Sequence, residues 1–178
     1  SIAHWLAGRL GVKPYDFMAG KGLGVFSLAS SWRTLDQKAR RFGVVICSED
    51  AYPDSFRQLA LRQVGFIVTI LNDGWFRHQE AVQMHAQNAA FRAVESGVPV
   101  VRVANTGKTA VFDPGGKSVG DDYLLADSEG FLVVDLPLAG QRTLYVLLGD
   151  IFVWLCAGFV IIALLIALYL GRSKVCQK

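Results

Sequence analysis

Cysteine is scarce in this chain and follows no pairing pattern. Cys47, Cys156 and Cys176 are the three in 178 residues, and none belongs to a CxxC or a Cys/His cluster. That spacing supports neither a structural zinc site nor a disulfide framework. Glutamate is missing from residues 1–46, so no glutamate base precedes Cys47. A basic patch is missing as well. Of 18 Lys/Arg, Arg172, Lys174 and Lys178 follow the last apolar run; the rest balance the 15 Asp/Glu within residues 1–150. The formal net charge of +3 therefore belongs to the tail, and nucleic acid is not an expected partner. The glycine run Gly20–Gly24 lacks the preceding strand and following Ser/Thr of a phosphate-binding loop. Neither a metal nor a cofactor is expected.

Apolar residues, by contrast, are abundant, at 52%. The excess over the usual ~45–50% sits at the C-terminus. Ile151–Gly171 carries no charge, and Trp154 and Tyr169 stand near its ends. About 20 helical residues cross the ~30 Å hydrocarbon layer, and aromatic residues favour its boundaries. The run is read as a membrane span, with a buried core helix as the weaker alternative. The basic tail places the C-terminus in the cytoplasm and residues 1–150 on the far side. An exported domain needs a signal before it, and the chain opens at Ser1 with none. The expectation is the C-terminal piece of a longer membrane protein. Its parts are a domain over 1–148, a span over 149–171 and a tail over 172–178. Cys156 falls in the span as a lipid-facing or packing residue, and Cys176 in the tail.

Within the domain, periodicity predicts an α/β arrangement. Val25–Leu28, Phe42–Cys47, Phe66–Leu71, Val98–Ala104, Thr109–Phe112 and Phe131–Leu136 read as strands. Ser31–Arg40 reads as a polar turn. Helices are expected from Pro53 to Gln63 and over Gln79–Ser96, the second ended by Gly97 and Pro99. Asp113-Pro114-Gly115-Gly116 marks a hairpin turn. This order fits a mixed sheet layered with helices.

Reactive groups gather where these strands end. Cys47 follows Phe42–Ile46 and precedes a helix start, whose partial positive charge favours a thiolate. A cysteine nucleophile splits an acyl transfer into two easier steps, although buried structural cysteines are common. Glu49 is placed to approach the same pocket. Asn72, Asp73, Gly74, Trp75 and Phe76 follow the next strand. Trp75 and Phe76 can wall an acyl site or simply pack a turn. His85 is either a base for Cys47 or a packed, hydrogen-bonded helix residue, the latter being commoner. Arg92 and Glu95 are spaced to pair on a helix. Arg102, in an apolar strand, needs a partner if buried.

Together, Ile46-Cys47-Ser48-Glu49, Asn72-Asp73-Gly74-Trp75-Phe76, His85 with Phe91–Glu95, and Val101–Gly107 resemble the C-terminal half of the nitrilase-like domain of apolipoprotein N-acyltransferases. The resemblance covers about residues 17–171. It implies a nitrilase-like α-β-β-α sandwich, present as its C-terminal half, followed by one transmembrane helix. It also implies a Glu-Lys-Cys triad in which Cys47 is the nucleophile and Glu49 a supporting glutamate. The triad Glu and Lys are expected upstream, since Lys13, Lys21 and Lys38 do not sit in the family's lysine motif. Ser48 stands where the family usually has tyrosine. Asn72, Asp73, Trp75, Phe76 and His85 would line the substrate pocket. The implied partners are a phospholipid acyl donor, a diacylglyceryl-cysteine lipoprotein acceptor and the lipid bilayer of a bacterial inner membrane, with the domain periplasmic. Two other readings stay open: a membrane-anchored carbon-nitrogen hydrolase, and an inactive remnant serving as an interaction module.

Overall fold

A computed structural model describes residues 22–29, 37, 39–76, 78–120 and 128–175, with side chains through Tyr169. Most of the glycine-rich opening, most of Ser31–Arg40, the side chains of Arg172 and Lys174, and residues Cys176 and Lys178 lie outside the described part. Among the described residues five strands form one sheet in chain order, β1 (Val25–Ser27), β2 (Arg41–Ile46), β3 (Phe66–Asn72), β4 (Val100–Asn105) and β5 (Ala110–Phe112). β2, β3 and β4 are parallel, and β1 and β5 flank them antiparallel. The parallel strands are apolar on both faces, as parallel sheets usually are.

Register sorts those faces. Gly43, Ile67 and Val100 align across the three strands, and so do Val45, Thr69 and Arg102. These residues point towards two helices, α1 (Pro53–Leu61) and α2 (Gln79–Ser96). Val45, Phe56, Leu59, Ile67, Ala89, Ala93 and Val100 form the buried core between them. α1 starts with Pro53 at its first position, where the missing N–H costs no bond. α2 turns a stripe of Val82, Ala86, Ala89, Ala93 and Ser96 inward. The alanines let the helix lie close to the sheet. Gly97, at φ 66°, ends it in the left-handed region and donates to Ala93 O.

The opposite sheet face is incompletely covered. Ile46, Ile70 and Val103, adjacent in register, are all exposed. Near β1, Phe26, Phe42 and Phe66 stack at 5.5 and 5.2 Å between ring centroids.

The predicted helices and five of the six predicted strands are observed, with ends shifted by at most a residue or two. Three differences matter. β2 stops at Ile46, because Cys47 takes φ +50° and cannot continue an extended ladder. Phe131–Leu136 forms no strand: it joins no ladder, and Phe131 is 87% exposed. A short helix, α3 (Leu144–Leu148), was not expected. Thr143 caps it by accepting from Val146 N and donating to Glu95 O, and Arg57 Nε donates to Tyr145 O and Val146 O. α4 (Ile151–Val175) follows. Its stretch Ile151–Tyr169 is long and apolar enough to cross a membrane, and none of it is buried within the protein.

Gly43 tests this packing. A Cβ there would stand 2.5 Å from the methyl carbons of the fully buried Leu59. Gly43→Val should lower stability by ~1–3 kcal/mol through overpacking. Thermal unfolding checks this, and an unchanged Tm would contradict the close approach of α1 to β2.

Candidate active site

The carboxyl ends of β2, β3 and β4 converge on a short 3-10 turn, Cys47–Ala51. It leaves β2 at Cys47 and leads through Tyr52 into α1. Positive φ at a non-glycine residue is uncommon and costs about 1–3 kcal/mol when held in a sparse region. Surrounding contacts must fix it. Glu49 Oε2 accepts from Ile46 N at 2.9 Å, so this glutamate folds back over its own turn. Arg92 Nη1, from α2, donates to Ala51 O at 3.2 Å, while its Nε pairs with Glu95 at 2.9 Å. Burial raises the Glu95 carboxyl above its usual pKa, and Arg92 opposes that rise. Cys47 is half-buried, and Ser48 and Glu49 are exposed.

Beneath the turn lies a buried ionic quartet. Arg102 of β4 is 0% exposed. Its Nη1 reaches Asp50 Oδ2 at 3.3 Å and its Nη2 reaches Asp73 Oδ2 at 2.6 Å. Its Nε donates to Lys108 O at 3.1 Å. Burial pushes the guanidinium pKa down, and Asp73 and then Asp50 pull it back. His85 closes the ring from α2, with Nδ1 at 2.7 Å from Asp73 Oδ1 and Nε2 at 3.1 Å from Asp50 Oδ1. Both nitrogens can donate at once only when the ring carries two protons. Four elements thus meet at one point: the 3-10 turn, the end of β3, α2 and β4.

The loop after β3 is shaped by its own polar groups. Asn72 Oδ1 accepts from Gly74 N at 3.1 Å, and Phe76 N donates to Asp73 O at 2.9 Å. That leaves Trp75 82% exposed and sets Phe76 edge-on to His85 at 5.2 Å. The Asn105-Thr106-Gly107 turn after β4 presses on the quartet. A Cβ on Gly107 would fall 2.1 Å from Asp73 Oδ2, so only glycine fits. A groove of about 1070 Å³ lies beside β4 and β5, between Val101, Val103 and Val111 and the stretch that includes Phe131 and Val133.

The expected site residues divide accordingly. Cys47, Glu49, Asn72, Trp75 and Phe76 lie in the loops at the strand ends. Asp73 and His85 do not line an open pocket, because their polar atoms turn inward to Arg102 and Asp50. His85 has no nitrogen left to serve Cys47, so the Cys–His dyad does not form. Asp50 escaped notice in the sequence. The signal was Arg102, which in an apolar strand needs a partner if buried. Among the described residues no group of three His, Cys, Asp or Glu could hold a metal ion.

The carbon-nitrogen hydrolase family model matches residues 9–144. The chain belongs to the carbon-nitrogen hydrolase family. The apolipoprotein N-acyltransferase of Geobacter metallireducens is 35% identical over 145 residues, which cover 81% of this chain and 27% of that protein. That of Bradyrhizobium diazoefficiens is 40% identical over 107 residues, covering 60% and 19%. The chain thus spans about a quarter of the length of these relatives. Among solved structures, an amidase from Nesterenkonia sp. superposes with a TM-score of 0.51 at 20% identity, over 67% of this chain and 43% of the amidase. That likeness shows a shared α/β fold.

If the quartet is an obligate unit, removing its cation leaves two buried carboxylates with His85 alone. Arg102→Met should then cost ~3–5 kcal/mol of stability. Adding Asp50→Asn and Asp73→Asn to Arg102→Met should recover part of it. Denaturant unfolding measures both, and a triple variant no more stable than the single one would contradict the charge argument.

Proposed function

We propose that this chain is the C-terminal part of an N-acyltransferase that moves a phospholipid acyl chain, through a Cys47 thioester, to the amine of a diacylglyceryl-cysteine lipoprotein. The similarity to apolipoprotein N-acyltransferases, which extends across 81% of the chain, carries the reading. Two features of this chain support it. Cys47 opens a turn at the carboxyl end of a parallel sheet, where ligands of open α/β folds bind. The apolar α4 stretch would hold that turn beside a bilayer, where both substrates reside. A cysteine is also the covalent site in the amidase of like fold, described with an acetamide adduct at its active-site cysteine.

The chemistry is two acyl exchanges. Cys47 Sγ, as thiolate, attacks the ester carbonyl of the phospholipid. The C–S bond forms, the ester C–O bond breaks, and the lysophospholipid oxygen takes a proton. The lipoprotein α-amine then attacks the thioester carbonyl. The C–N bond forms, the C–S bond breaks, the thiolate returns and the amine gives up a proton. A base carries those protons, and a cationic donor with backbone N–H groups stabilises each tetrahedral oxyanion. Neither role falls to His85, Asp50, Asp73 or Arg102, whose polar atoms are engaged with one another. A glutamate and a lysine in the larger part of the relatives' length, which this chain does not match, are assigned to them. Glu49 supports the Cys47 turn, and Trp75, Phe76 and Asn72 border the substrate. The domain lies outside the cytoplasm, with the tail inside.

Two measurements test this. Full-length protein in detergent with labelled-acyl phospholipid and a diacylglyceryl-cysteine lipopeptide should give N-acylated lipopeptide. Cys47→Ala should reduce the product to background; transfer that survives the substitution would sink the reading. In intact cells, an impermeant amine reagent should label lysines of residues 1–150 and spare Lys174. Labelling of Lys174 without lysis would reverse the topology.

A further inference from the structure

The Cys47 turn has one buried side chain, that of Asp50. Its other polar residues, Ser48 and Glu49, face solvent. The turn therefore gains little from apolar burial, yet it must hold Cys47 at φ +50°. Asp50 sits three residues from the thiol, with both carboxylate oxygens engaged. Oδ2 takes Arg102 Nη1 at 3.3 Å and Oδ1 faces His85 Nε2 at 3.1 Å. Arg102 is held in turn by Asp73 and by Lys108 O, and His85 by Asp73. The only other side-chain tie from outside the turn is Arg92 to Ala51 O, among the described residues.

We propose that Asp50 is a positioning residue for Cys47, and that the quartet of Asp50, Asp73, His85 and Arg102 sets where the thiol meets the acyl ester. The inference rests on the reading of Cys47 as nucleophile. Charge pairs in a buried site have few alternative arrangements, so the turn is fixed from β4 and α2 in addition to the local bond from Ile46 N to Glu49. A loosened turn displaces the sulfur. A misplacement of ~1 Å can cost ~100-fold in rate without weakening substrate binding elsewhere.

The test uses full-length protein carrying Asp50→Asn, His85→Gln or Val64→Ala. Asp50→Asn keeps the shape but removes the charge. His85→Gln is the milder change, at a ring whose edge reaches solvent. Val64→Ala trims the core away from the turn and serves as the stability control. Single-turnover acylation of Cys47 should fall ~10–100-fold in Asp50→Asn, and less in His85→Gln, with the phospholipid KM within about twofold of wild type. Val64→Ala should acylate within about threefold of wild type, despite a lower Tm. Acylation by both quartet variants within about twofold of wild type would overturn the inference. So would an equal rate loss in Val64→Ala. If Asp50→Asn does not fold, His85→Gln decides by the same criteria. Hydrogen exchange of the Ser48–Ala51 amides separates this claim from the acyltransfer reading. Should wild type fail to acylate, that reading fails. Faster exchange in this turn of the folded quartet variants, with β3 amides unchanged, would still support positioning, and unchanged exchange would overturn it.

Discussion

A guanidinium buried on β4 governs the arrangement of this end of the domain. Arg102 aligns with Thr69 and Val45 across the sheet and points under α2. An unpaired cation there would be severely penalised, so acids must reach it from other elements. Asp73 comes from the end of β3, Asp50 from the Cys47 turn, and His85 from α2 ties the two carboxylates together. The same requirement explains Gly107, whose missing Cβ leaves room for Asp73. Such a cluster adds little net stability compared with an apolar core. It does restrict the relative positions of three loops, including the one bearing the thiol.

The rest of the architecture places that edge. α1 and α2 cover one sheet face. Arg57 and Thr143 link them to α3, directly before the apolar α4. The two helices that pack behind the Cys47 turn are therefore joined to the start of the candidate span by short, hydrogen-bonded connections. The other sheet face keeps Ile46, Ile70 and Val103 exposed. An exposed apolar face of that kind fits a chain that matches only about a quarter of its relatives' length.

Much of this was legible in the residues, for identifiable reasons. α2 is legible to its ends because Gly97 and Pro99 stop it and its apolar spacing is helical. The inner strands are legible because short, largely apolar and β-branched runs suit a buried parallel sheet. Phe131–Leu136 is strand-like in sequence because it is a short, nearly continuous apolar run, whereas a strand also needs a hydrogen-bonding neighbour. α3 escaped because five residues carry too little periodicity, and its cap bonds to Glu95 are tertiary. At the site, the nucleophile candidate and the aromatic loop stood out by chemistry. The inward roles of Asp73 and His85, and the existence of Asp50 as a partner, did not. Those depend on Arg102 lying 52 residues from Asp50 in sequence yet 3.3 Å away in space.

The central claim is that Cys47 passes through an acylated state. Full-length protein can be incubated with phospholipid and no acceptor, digested, and mapped by mass spectrometry. One acyl chain is expected on the Cys47 peptide, released by hydroxylamine and discharged on adding lipopeptide. An acyl group found instead on Cys156, or active enzyme that never acquires one on Cys47, would contradict it.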